Sequence, residues 1–75
     1  MAEIKLRVRE LREQHGITQE ELAQRLGVEP PAVSKWDRNL AFPRMDKLVA
    51  MADIFGCTVD YILGREPVQD GQNTA

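Results

Sequence analysis

Only one cysteine, Cys57, occurs in the 75-residue chain, so no internal disulfide can staple it and the fold must rest on packing. Long apolar runs are missing too. The longest, LVAMA at residues 48–52, is far short of the roughly 20 residues that span a bilayer. The first ten residues, MAEIKLRVRE, interleave charged and apolar side chains and have no apolar core of the kind a signal peptide needs. A surplus of positive charge is absent as well: 10 Lys and Arg face 12 Asp and Glu, a net charge of −2. Its distribution is uneven, however, with nine basic and eight acidic residues in positions 1–47 against one and four in positions 48–75. Charge therefore permits a nucleic-acid partner without arguing for one. One histidine and one cysteine, with no further ligand cluster, supply neither a metal site nor a nucleophile–base pair. The expectation is a soluble cytoplasmic protein of one domain, with no membrane association, no enzymatic activity, no cofactor and no metal.

What is present is helical punctuation. Gly16, Gly27, Gly56 and Gly64 each follow a stretch with apolar residues at helical spacing, the place where a chain reverses through a left-handed residue. The spacing predicts a first helix from about Ile4 to His15, with Ile4, Val8 and Leu11 on one face. ITQEEL then places Thr18 as N-cap and Glu21 three residues later, a capping box, with Ile17 and Leu22 set for a hydrophobic staple. A second helix of two turns should bury Leu22, Ala23 and Leu26; it is too short to stand alone. A fourth should run from about Met45 to Phe55 with Leu48, Met51, Ala52 and Phe55 inward, and Thr58 should cap a last short one carrying Val59, Ile62 and Leu63. No segment alternates long enough for a strand. The fold class is all-α, five short helices around one core in residues 1–65, with the polar residues 66–75 as a flexible tail.

The third helix raises the functional question. After a turn of about three residues, a helix-turn-helix spacing, Pro30 and Pro31 fall in its first turn. The first N–H groups of a helix have no internal acceptor, so prolines there remove no bond. Val33 and Trp36 supply the inward face, and Asn39 suits a left-handed C-terminal position.

The series LREQHGITQEELAQRLGV, VSKWDRN and DKLVAMADIFGCTVDYILG resembles the phage-repressor (Cro/repressor, XRE-like) helix-turn-helix family, over roughly residues 4–64. The resemblance implies the five-helix lambda-repressor-like fold and a sequence-specific transcriptional regulator, a repressor occupying its operator. The partner would be double-stranded DNA, read in the major groove by the third helix. By position, Gln19 and the N-terminus of the second helix would meet a phosphate. Pro30, Pro31 and Lys35 would stand at the base-reading positions, Ser34 beside them. Arg38, Asn39 and Arg44 would hold phosphates. The two prolines offer only apolar contact, as to a thymine methyl, which leaves Lys35 as the side chain suited to guanine O6 and N7.

The same resemblance pairs Arg12 with Asp37 of the WDR segment, a structural tie that sets the tilt of the reading helix. Trp36, at i+3 from Val33, is expected to pack rather than to stack on bases. Met45 and Met51 should fill core or interface. His15 sits at a helix end that favours a cation, and Cys57 in a turn. The FGCTVDYIL stretch, with Tyr61 and Ile62, offers a surface through which two copies could pair as a homodimer on a pseudo-palindromic site. The prolines, the acidic balance and the thinned basic loop leave an alternative from another class: a protein-interaction module or antitoxin that keeps the fold with weakened DNA reading, its protein partner unknown.

Overall fold

The structure, a computed structural model, describes residues 4–65. The stretch 66–75, expected to be a tail, lies outside the described residues. Five helices follow one another: α1 Val8–Gln14, α2 Gln19–Leu26, α3 Pro30–Asp37, α4 Met45–Phe55 and α5 Val59–Ile62. There is no strand among the described residues.

Local chemistry accounts for most of the boundaries. Thr18, in extended conformation, accepts the Glu21 N–H at 3.0 Å while the Glu21 carboxylate accepts the Thr18 N–H at 2.9 Å, so the expected capping box is complete. Gly27 then reverses the chain at φ 70°. Glu29 precedes α3 with ψ 146°, the extended geometry that a following proline favours, and Pro30 and Pro31 occupy its first two positions. At the other end Asn39 is left-handed, with φ 60°. Its N–H donates to the Trp36 carbonyl at 3.0 Å and that of Leu40 to Lys35 at 2.9 Å, the paired bonds of a Schellman ending. Thr58 caps α5 by accepting the Tyr61 N–H at 3.0 Å.

Helices of four to eleven residues cannot persist by propensity alone. What holds them is a shared core: Val8, Leu22, Val33, Met51 and Ile62 are fully buried, one from each helix, and Leu11, Ile17, Ala23, Leu26, Trp36, Leu48 and Phe55 surround them. Each large apolar side chain contributes about 1.5–3 kcal/mol on burial, several times the few tenths that separate ordinary helix propensities. Trp36 is thereby a core residue and not an exposed stacking platform.

Two expectations are corrected. First, α1 begins at Val8, not near Ile4. The Arg7 N–H donates to the Ile62 carbonyl at 2.8 Å, and the Asn39 side chain bonds the backbone of Ile4 and Leu6, so residues 4–7 are tied to other elements before the helix starts. Met45, expected to fill core or interface, lies exposed on the outer face of α4, and Met51 is in the core. Second, of the surface expected to pair two copies, Ile62 is fully buried; the Arg7 guanidinium lies 4.7 Å from the Tyr61 ring, while Val59, Tyr61 and Leu63 stay half-exposed.

Candidate nucleic-acid interface

α3 is built with one face in and one face out. Val33 and Trp36 lie in the core, while Pro30, Pro31 and Lys35 are exposed and Ser34 is half-buried. On a helix, residues four apart stack in one stripe, so Pro30–Ser34–Arg38 and Pro31–Lys35 form adjacent stripes on the outward side. Arg38 closes the first stripe, its Nε donating to the Ser34 carbonyl at 3.4 Å. The structure thus brings five of the eight expected contact residues onto one helix face.

The base of this helix is anchored electrostatically. The Arg12 Nη2 group donates to Asp37 Oδ2 at 2.7 Å, and Gln19 Nε2 donates to the same oxygen at 2.8 Å. The Arg12 side chain is 12% exposed and that of Asp37 4%, so this is a buried tie joining α1, α2 and α3. The guanidinium does not grip both carboxylate oxygens. Its Nη1 donates instead to the Ile17 carbonyl at 2.9 Å, and Asp37 Oδ1 and Arg12 Nε are buried without a partner among the described residues. The short aspartate side chain brings one oxygen to two donors.

Gln19 was legible as the first residue of α2, but its bond to Asp37 was not. That bond fixes the amide so that nitrogen faces the carboxylate and leaves one amide hydrogen and the carbonyl oxygen unspent. Around it, the capping box takes the N–H groups of Thr18 and Glu21, and Leu22 N–H makes the first helical bond. The backbone N–H groups of Gln19 and Glu20 have no hydrogen bond among the described residues.

The last two expected contacts stand apart from this face. Asn39 is exposed, but its side-chain amide is engaged at both ends, accepting from Leu6 N–H at 3.1 Å and donating to the Ile4 carbonyl at 3.2 Å. Arg44 is exposed at the N-cap of α4, beyond the loop, with no ion pair among the described residues. The loop and the start of α4 carry an apolar surface instead of a basic one: Leu40, Phe42, Met45 and Val49 are each 49–69% exposed.

No group of three or more His, Cys, Asp or Glu side chains is placed to hold a metal ion among the described residues. His15 has its Nδ1 3.0 Å from the Leu11 carbonyl and its ring against Phe55, and Cys57 is half-buried in the turn before α5. No described helix is long and apolar enough to cross a membrane.

A family model described as helix-turn-helix matches residues 8–62, from α1 to the end of α5. Over 58 residues the chain is 38% identical to the uncharacterized HTH-type transcriptional regulator YobD of Bacillus subtilis, covering 77% of this chain and 52% of that protein. Over 50 residues it is 44% identical to the 26 kDa repressor protein of Escherichia phage HK022, covering 67% and 21%. It thus spans about half or less of these relatives. Among solved structures, the P22 c2 repressor in complex with a synthetic operator superposes with a TM-score of 0.73 at 32% identity, over 80% of this chain and 91% of that one.

Proposed function

The chain belongs to the helix-turn-helix family, and on that premise we propose that it binds double-stranded DNA sequence-specifically and regulates transcription, as a repressor that occupies its operator. The observation that carries this reading is the outward face of α3, where Pro30, Pro31, Ser34 and Lys35 stand free of the core on a helix whose base is locked by Arg12, Asp37 and Gln19. The mechanism is occupancy without chemistry. α3 enters the major groove, Lys35 donates to guanine O6 and N7, and the proline rings meet the methyl groups of thymines. Gln19, held by Asp37, turns its remaining amide hydrogen and the nearby free N–H groups of α2 to a phosphate. Arg38 and Arg44 supply further phosphate contacts. This is a short list, and each phosphate contact adds about 0.9 to the salt slope, so binding should be modest in strength and shallow in salt dependence. Selection from a randomised duplex pool at two salt concentrations tests the reading: an enriched site retained at the higher salt supports it, and a pool without enrichment overturns it. The exposed apolar surface favours the alternative, a protein-interaction module, in that second case.

Two copies would act together, since two half-sites bind better than one. The pairing surface best suited to this is the one formed by Phe42, Met45 and Val49 on the loop and the exposed side of α4. Under a two-fold axis the helices run antiparallel and the apolar stripe meets its own copy. Met45→Asp is therefore expected to abolish cooperative binding to a paired site and to leave single half-site binding unchanged. Sedimentation and titrations on paired and single sites would read it; unchanged cooperativity would remove this surface from the pairing.

A further inference from the structure

The segment before α1 is held between two helix ends. On one edge, the Asn39 side chain accepts from Leu6 N–H at 3.1 Å and donates to the Ile4 carbonyl at 3.2 Å, so a side-chain amide takes the place of a neighbouring strand. On the other edge, the Arg7 N–H donates to the Ile62 carbonyl at 2.8 Å. Beside it Gly64 lies so close to the Lys5 carbonyl that any Cβ there would collide with it. Asn39 itself is the left-handed residue that ends α3, at φ 60°. Glycine adopts that conformation with less strain, so backbone geometry alone does not account for asparagine; its side chain, with one donor and one acceptor in use, does.

We propose that Asn39 is a positioning residue for DNA reading: by clamping Ile4 and Leu6 to the end of α3, it makes the N-terminal segment a strap that sets the angle at which Lys35 meets a base. The inference rests on the DNA-binding function proposed above. α3 is tied near its C-terminal end at two adjacent points. Asp37 fixes it to α1 and α2. Asn39 fixes it to a strap that runs on to α5. Val33 and Trp36 hold its inner face in the core, and the two ties restrain the tilt that this packing leaves. A pivot of a few degrees matters little to a flexible phosphate contact and much to the directional bonds of Lys35 with a base edge. This role differs from a direct phosphate contact by the same side chain, and the two give opposite patterns on different duplexes.

The test uses the whole 75-residue chain. Asn39→Gly keeps the left-handed turn at lower strain and removes both clamp bonds. Asn39→Asp keeps an acceptor for Leu6 N–H and loses the donor to Ile4. Thermal melts should stay close to the parent protein for Asn39→Gly. Hydrogen exchange at Leu6 N–H should accelerate by about tenfold, the scale of one net hydrogen bond, with Asn39→Asp in between. Affinity for the selected duplex should fall on the order of tenfold with binding to a scrambled duplex of equal length unchanged. Equal losses on both duplexes would assign the side chain to a phosphate and overturn the proposal. So would parent-like discrimination, or unchanged exchange at Leu6. If the parent chain itself selects no duplex, the DNA-binding function fails, and exchange at Leu6 and at Leu40, whose N–H closes α3, still decides whether the strap holds the helix.

Discussion

Replacing Asp37 with alanine is expected to remove about 3–5 kcal/mol of folding stability, because it leaves the Arg12 guanidinium buried without its counter-charge. A domain of this size has a total stability of about 4–11 kcal/mol, so this loss is a large share of the whole. The alanine also strips Gln19 Nε2 of its acceptor and cuts the link between α2 and α3. A surface pair would cost under about 1 kcal/mol, and a urea melt showing so small a loss would refute the buried tie. The informative companion is the double variant Arg12→Met with Asp37→Leu. It removes both charges and fills their space with apolar groups, and should recover most of the loss, since a paired burial costs little to replace whole. Recovery of stability without recovery of DNA binding would separate the energetic role of the pair from its role in orienting Gln19.

Lys35→Ala is expected to act on recognition and to spare the fold. Its side chain is exposed and makes no hydrogen bond or ion pair among the described residues, so stability should change by less than about 0.5 kcal/mol. Binding to the selected duplex should weaken by about 1–3 kcal/mol, roughly 5- to 150-fold, because no other outward residue of the first two turns of α3 carries an amine or guanidinium. The loss should concentrate at one base pair. A second round of selection with the variant should return a site degenerate at that position and unchanged elsewhere. A uniform loss across all duplexes would identify Lys35 as a phosphate contact instead.

Much of the fold was legible because its signals are local. The capping box at Thr18 and Glu21, the prolines opening α3, the left-handed Asn39 and the run from Met45 to Phe55 all stand where the residues placed them. The start of α1 was not legible, because what stops it is remote: Asn39 is 33 and 35 residues from its partners Leu6 and Ile4, and Ile62 lies farther still from Arg7. Periodicity extends a helix until a breaker appears, and an apolar residue such as Ile4 satisfies the pattern equally well in a strap. Within the candidate site the split is the same. The outward positions of α3 follow from helical spacing, and the Arg12–Asp37 pair from the family resemblance. Gln19's bond to Asp37 depends on where α2 and α3 come together, which no local pattern encodes. For Met45, where the residues left core and interface both open, the structure places the side chain on the surface.

The two prolines that open α3 also bear on how the domain folds. Starting a helix is the unfavourable step, since about six backbone dihedrals must be fixed before the first hydrogen bond forms. In Pro30 and Pro31 two of those dihedrals are set by the pyrrolidine rings, in the unfolded chain as in the folded one. An eight-residue helix with no side-chain cap at Glu29 thus begins from a nucleus that covalent geometry has partly assembled. The prolines that remove hydrogen-bonding groups from this outward-facing turn preset its φ angles, while Pro31 works against the helical ψ of Pro30.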